Sequence, residues 1–254
     1  MNKKIQLFIV VILILAVLGC FALLLFCHHD QKIYVWAWER PEDLRFLGKD
    51  KDSVVIVYYA GDVVIENGGM EITPRRNRLI LPQDVPIIPL VRIDNFDNAE
   101  VLDDQRLGDI KKFIVQICSI TGISGCQIDF DVLSSERAFY TRLISEVKKE
   151  ISPNIPLSIT ALVSWCDKYS WLDETEIDFA VPMFYRLGPD SMQIQTGRVG
   201  STFLKSEKCQ SAIGISTDEQ LPRKTYLQGK DTYFFNPEPW TEESFIFEKN
   251  AITD

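Results

Sequence analysis

The stretch Gly125-Cys126-Gln127-Ile128-Asp129-Phe130-Asp131 sets three side chains able to do chemistry at alternate positions. A strand of period two puts Gln127, Asp129 and Asp131 on one face and Cys126, Ile128 and Phe130 on the other. Carboxylates on the inner face of a strand are costly unless they are hydrogen-bonded or at work. This strand is therefore expected to end near water or a ligand. The same acids can instead cap the helix that follows, with Asp131 running into Ser134-Ser135-Glu136.

Absent residue patterns narrow the chemistry further. His28 and His29 are the only histidines, which leaves the rest of the chain without a Ser-His-Asp triad, a Cys-His pair or a His-ligated zinc site. No CxxC pair is present, and no loop offers the six to eight oxygens that Ca²⁺ takes, so no metal is expected. With no GxxxxGK[ST] loop and no GxGxxG after a strand, no nucleotide or other cofactor is expected. Acid and base work would fall to carboxylates, with Tyr and Arg assisting. Carboxylate-only chemistry suits glycoside hydrolysis.

Eight strand-like runs can position such groups. They are Ile33 to Trp38, Val54 to Tyr59, Ile87 to Asp94, Gly125 to Asp131, Leu157 to Val163, Asp178 to Tyr185, Ala212 to Ser216 and Thr232 to Asn236. Helical periodicity lies between some of them, from about Asp103 to Ile120 and from about Ser135 to Ile151, with a short helical stretch around Glu42 to Leu47. Near-continuous apolar strands with helical crossovers point to an α/β fold, a (β/α)8 TIM-type barrel. The short connection after the first strand, and a hairpin from Val63 to Ile72 turning at Asn67-Gly68-Gly69, suggest a decorated or incomplete one.

Function in such a barrel gathers where the strands end. Those ends supply Trp38, Glu39, Arg92, Asp94, Asp129, Asp131, Trp165, Met183, Tyr185 and, after the last strand, Trp240. Aromatic faces among hydrogen-bonding acids suit a sugar ring, with its apolar CH faces and hydroxyl edges. Arg92 stands to pair with Asp94 or Asp129, and Glu39, beside Arg40 and Pro41, can equally serve a structural salt bridge. A second catalytic carboxylate would come from Glu39, Asp94 or Glu238, unless the substrate's own acyl group takes that part.

The N-terminus differs from the rest. After Met1-Asn2-Lys3-Lys4 an apolar run extends from Ile5 to Cys27, long enough to span a bilayer, which takes roughly 20 residues. Residues 1–29 read as a cytoplasmic tip and transmembrane anchor, with residues 30–254 as one extracytoplasmic domain. Val17-Leu18-Gly19-Cys20 resembles a lipobox, which makes a lipoprotein anchored at Cys20 the alternative. The continued run Phe21 to Phe26 favours the uncleaved anchor on a bacterial cytoplasmic membrane. All 36 acidic residues lie beyond that anchor, with all but two of the 27 basic ones, and the chain carries net charge −9. An acidic body without a basic block argues against nucleic acid as a partner. Cys118, Cys126, Cys166 and Cys209 can form disulfides outside the cytoplasm or stay as buried thiols.

Gly125 to Asp131 resembles the fourth-strand signature of chitinase-like (family 18) glycoside hydrolases, where alternate acids end in a catalytic Glu. Phe179-Ala180-Val181-Pro182-Met183-Phe184-Tyr185 is similar to that family's sixth strand, whose Met and Tyr face the site. The whole also resembles an uncharacterised bacterial group of membrane-attached or secreted barrel proteins. The resemblance implies Asp131 as general acid, Asp129 as its assisting carboxylate, Tyr185 as a substrate-binding tyrosine and Trp240 as a sugar-stacking platform. Gln127, Met183, Trp38, Glu39, Arg92, Asp94 and Trp165 complete the expected substrate-binding set. Three departures stand out. Asp131 is one methylene shorter than Glu, Gln127 replaces the first acid of the series, and Leu90-Val91-Arg92-Ile93-Asp94 lacks the family's small-residue third-strand motif. These speak against chitin specificity while keeping the kinship to glycosidases. The expected function is a membrane-anchored glycoside hydrolase whose partner is a polysaccharide or oligosaccharide. The alternative is a non-catalytic glycan-binding or envelope scaffold protein on the same barrel.

Overall fold

In a computed structural model, residues 31–97, 101–167, 170–187, 204–220 and 224–253 are described. The apolar run from Ile5 to Cys27, with the anchor and lipobox expected there, lies outside them. No helix among the described residues is long and apolar enough to cross a membrane. Residues Gln31–Asp254 form one compact unit.

The strands are β1 (Ile33–Ala37), β2 (Glu42–Asp43), β3 (Val54–Glu66), β4 (Gly69–Pro74), β5 (Leu79–Ile80), β6 (Ile87–Asn95), β7 (Cys126–Phe130), β8 (Leu157–Leu162), β9 (Phe179–Met183), β10 (Ala212–Ser216) and β11 (Asp231–Phe235). Eight of them run parallel in the order β1-β3-β6-β7-β8-β9-β10-β11, and β1 pairs with both β3 and β11, which closes the barrel. All eight expected strands are present. The helices are α1 (Asp104–Cys118), α2 (Arg137–Glu150), the single turn α3 (Lys224–Leu227) and α4 (Glu242–Thr253). Among the described residues the helical ring is incomplete, and β8 is joined to β9 through 3-10 turns at Val163–Cys166 and Trp171–Glu174. The stretch expected as helical around Glu42 is corrected to the strand β2, paired with β5, followed by a 3-10 turn at Arg45–Asp50.

Period-two alternation sorts the strands into two apolar clusters. An inner one contains Trp36, Val55, Val57, Tyr59, Ile88, Leu90, Val181, Ala212 and Tyr233. The outer one takes the alternate positions, such as Val91, Ile93, Ile128 and Phe130, with Leu107, Ile110, Ile114, Leu143, Ile144 and Val147 from the helices. The Trp36 indole crosses the inner space toward β10, where a Cβ on Gly214 would lie 2.9 Å from it. Only glycine leaves room there.

Two features depart from a plain barrel. β3 continues past the barrel wall to Glu66 and turns through Asn67 (φ 54°) and Gly68 (φ 74°) into antiparallel β4. Both φ are positive, as the favoured two-residue hairpin turn requires. The register of β3 against β6 shifts between Tyr59 and Gly61, a bulge that leaves Ala60 unpaired. The four cysteines form two disulfides, Cys118–Cys126 with Cα atoms 5.7 Å apart and Cys166–Cys209 at 6.0 Å. The first joins the end of α1 to the start of β7, and the second joins the turn after β8 to the turn before β10.

The loop-entropy account sets the value of each bridge by the chain it closes. Separations of 43 and 8 residues give about 4 kcal/mol for Cys166–Cys209 and about 2.5 kcal/mol for Cys118–Cys126. Denaturant unfolding of the paired Cys→Ala variants should show the larger loss for Cys166 and Cys209. Equal losses, or the reverse order, would contradict an origin in loop closure.

Candidate active site

At the C-terminal end of the barrel an acidic sector faces an aromatic one. The acidic sector begins on β6 and β7, where Arg92 and Asp129 are register partners. Arg92 grips Asp94 with two hydrogen bonds, Nε to Oδ2 at 2.8 Å and Nη2 to Oδ1 at 2.9 Å, the bidentate geometry an arginine fork favours. Its Nη1 lies 3.8 Å from Asp129 Oδ2. Asp129 is buried, and its Oδ1 accepts from Thr160 Oγ1 on β8. Arg92 is held above its ordinary range, first by the hydrogen bonds to Asp94 and then by the charge of Asp129.

Asp131 lies just past the end of β7, exposed at the rim, and among the described residues no hydrogen bond or ion pair engages it. It does not cap the next helix. Glu136 does that work: it is buried, its Oε2 accepts from Leu133 N and its Oε1 from Asn95 Nδ2. Desolvation of its carboxyl pushes the Asp131 pKa up, the Asp94 charge adds to this, and Arg92 opposes it. Asp129 is pushed up to about 6, first by burial and then by the charge of Asp131, against Arg92 and Thr160. The two carboxyls are both raised, and the buried Asp129 has less water to screen the repulsion of its neighbour.

The aromatic sector is continuous. Trp38 packs on Tyr59 at 6.3 Å and edge-on to Phe235 at 5.9 Å, and Phe235 stacks on Tyr185 at 5.3 Å with 5° between planes. Arg92 lies over the Trp38 ring, 5.8 Å from its centroid, and so links the two sectors. Met183 packs beside Tyr185 against the inner cluster. Burial, followed by the charges of Asp129 and Asp131, drives the Tyr185 hydroxyl far up, so it acts as a neutral donor. Beyond the acids the rim is apolar, with Phe96 (67% exposed), Leu133 (65%) and Leu162 (40%) following β6, β7 and β8.

The structure therefore brings Asp129, Asp131, Arg92, Asp94, Trp38, Met183 and Tyr185 together, and it leaves four expected residues out. Gln127 is fully buried beneath the site, where its Oε1 accepts from Trp36 Nε1 at 2.8 Å and its Nε2 donates to Ser158 Oγ at 3.2 Å. Glu39 turns away to hold a loop, its Oε1 accepting from Arg76 N, Asn77 N and Asn77 Nδ2. Trp165 is buried against Trp171 in the outer cluster. Trp240 is also buried there, its Nε1 donating to Trp36 O at 2.9 Å, so neither indole presents a face to the mouth.

Residues missed in the sequence also belong to the site. Thr160 and Phe235 follow the inward alternation of Ser158 and Tyr233 and were legible on that ground. Asp62 was not, because the bulge between Tyr59 and Gly61 reverses the alternation and turns it to the same side as Tyr59. Burial pushes its carboxyl up, Tyr59 holds it down by a hydrogen bond, and Asp94 raises it again. No group of His, Cys, Asp and Glu that could hold a metal ion occurs among the described residues.

No protein-family model and no curated protein matches the chain. Among solved structures, an endo-β-N-acetylglucosaminidase from Cordyceps militaris matches at TM-score 0.51 and 10% identity, over 89% of this chain and 92% of that one. A chitinase from Rhizomucor miehei matches at 0.48 and 10%, over 73% and 68% of the two chains. A family GH18 chitinase from Chromobacterium violaceum does so at 0.43 and 11%, over 82% and 79%. The fold is a TIM-type barrel. At 10% identity, the likeness to the Cordyceps enzyme is one of fold.

The raised Asp129 carboxyl also sets a stability signature. A proton bound more tightly in the folded state stabilises below the unfolded pKa, and that stability is lost as pH rises from about 4 through about 6. Asp129→Asn should therefore be more stable than the parent near neutrality, by about 1–3 kcal/mol, with the gap closing near pH 4. Denaturant unfolding at the two pH values measures this. A destabilised variant at neutral pH would show that the Thr160 and Arg92 contacts outweigh the burial cost.

Proposed function

We propose that the chain is a glycoside hydrolase, attached to the membrane through its N-terminal run, that cleaves a glycan outside the cytoplasm with Asp131 as general acid. One observation carries this reading: Asp131 is an unengaged carboxyl with a raised pKa at the end of the fourth barrel strand, set opposite an aromatic wall. A general acid must be protonated when substrate arrives and free to reach the leaving oxygen, and every other carboxylate of the acidic sector on β6 and β7 is already hydrogen-bonded. Asp129, anchored by Thr160 and close to Arg92, assists by holding a proton or negative charge beside the acid. Trp38 and Tyr185 supply ring faces and a hydroxyl to the sugar. The second catalytic group is the substrate's own acyl group on this reading, since Asp94 is paired with Arg92, Glu39 is held by its loop, and Glu238 is exposed in the segment after the last strand. Two disulfides support a location in an oxidising compartment.

A second reading, a glycan-binding barrel without turnover, is favoured by the short reach of Asp131 and by the ion pair that occupies Asp94. The two readings part on Asp131. With the full chain in detergent and a panel of bacterial and extracellular polysaccharides, the parent should release reducing ends. Asp131→Asn should lose about 10²–10³-fold of that rate, the usual contribution of a general acid. The parent's kcat/KM should fall as pH rises through about 6, where the assisting Asp129 gives up its proton. Binding that survives in both proteins without release would replace the enzyme by the binding module.

A further inference from the structure

The charge balance of the mouth goes beyond a general preference for sugars. Among the described residues three arginines come near it, and each is already matched. Arg92 holds Asp94 and Asp129. Arg186 holds Asp218 and Glu219. Arg75 is spent on the carbonyls of Trp38, Tyr59 and Arg40. Against these stand Asp62, Asp94, Asp129 and Asp131, four carboxyls around the single guanidinium of Arg92. Among the described residues an anionic substituent would find only acids and committed cations there.

Besides Asp131, Asp62 has capacity to spare. Val63 and Ile65 face the outer cluster, so Asp62 projects to the opposite side, level with its register partner Arg92. Its Oδ1 is buried and has no hydrogen-bond partner, and on the neighbouring strand end Trp38 Nε1 is in the same condition. Two orphaned polar atoms on residues that both touch Tyr59 are the complement of a missing polar ligand group, because a buried polar atom without a partner is costly. The ring faces of Trp38 and Tyr59, 6.3 Å apart, flank the position, and aromatic faces attract cations.

We infer that the mouth takes a glycan carrying a free, protonated amine, and that Asp62 receives it. This rests on the glycosidase reading of the same barrel. β3 and β7 are two strands apart, about 10 Å across the sheet. The amine therefore belongs to a sugar next to the one over Asp131, and the substrate is an aminoglycan that is N-acylated only in part. The amine donates to Asp62 Oδ1, while a neighbouring hydroxyl or carbonyl oxygen accepts from Trp38 Nε1.

The test uses the full chain in detergent with two matched sets of glucosamine oligosaccharides, one fully N-acetylated and one partly de-N-acetylated, near neutral pH and at low salt. Binding by calorimetry and release of reducing ends are both read. The partly de-N-acetylated set should be preferred by about tenfold, and added salt should shrink that preference. Asp62→Asn should bring the ratio between the two sets close to one, while Asp62→Glu should keep it. Equal or better handling of the fully N-acetylated set, or a ratio that Asp62→Asn leaves in place, overturns the amine site and leaves the glycan reading intact. Failure of both sets to bind or to be cleaved overturns the amine site, and the polysaccharide panel alone then decides the glycosidase reading.

Discussion

The barrel depends on how one indole is buried across its interior. Trp36 is 2% exposed, and it meets Tyr233 at 5.3 Å and Tyr185 at 6.4 Å. Its N–H must find an acceptor, since burying a bare donor costs about 1–3 kcal/mol. Gln127 on β7 is that acceptor, and Ser158 on β8 in turn accepts from Gln127. Gly214 on β10 gives the ring its space, and the Trp36 carbonyl accepts from Trp240 after the last strand. One residue therefore ties β1, β7, β8, β10 and the closing segment together. It also forms the floor below which the barrel is apolar and above which polar groups can be sustained. Where the fourth strand's series of acids would begin, the chain has an amide because the floor needs a group that both accepts and donates.

Above that floor electrostatics decides the arrangement. Asp129 sits one residue pair higher than Gln127 and is nearly as deeply buried, so it can exist only with Thr160 and Arg92 near it. Arg92 in turn is drawn mainly to Asp94, which it holds at 2.8–2.9 Å, and reaches Asp129 only at 3.8 Å. The neutralisation of Asp129 is incomplete, and its carboxyl titrates near 6 rather than near 4. A protein selected for stability alone would place a neutral residue there. An incompletely compensated carboxyl, opposite an aromatic wall and beside a free one, is the kind of local cost that functional sites retain.

Much of this was legible in the residues, for a definite reason. Strands covered on both faces leave long apolar runs, and all eight were visible as such. Asn67-Gly68 fixed the hairpin because few other pairs accept two positive φ values. Alternation placed Asp129 and Asp131 correctly, and it also offered Thr160 and Phe235. It failed at Asp62, because a bulge resets the period without leaving a mark in residue types. Tryptophans misled in another way. Trp165 and Trp240 follow strands as platform residues do, yet both close the outer core, and whether an indole faces a ligand or a helix depends on packing that short-range sequence does not carry.

The thin helical cover among the described residues bears on the covalent chemistry of the outer layer. α1 and α2 shield β6 and β7 with helical faces, but the connection from β8 to β9 offers only 3-10 turns among the described residues. Turns bury less apolar surface than helices and leave more of the backbone conformationally free, so this side of the barrel has a larger entropy to overcome. Here Trp165 packs on Trp171 at 5.3 Å, Ser206 donates to Asp173, and Cys166 is joined to Cys209 across 43 residues. The long bridge lies where the secondary structure is thinnest, and the short one, Cys118–Cys126, fixes the strand that carries Asp129 and ends at Asp131. Packing holds the site's floor, and covalent bonds hold the parts of its wall that packing reaches least.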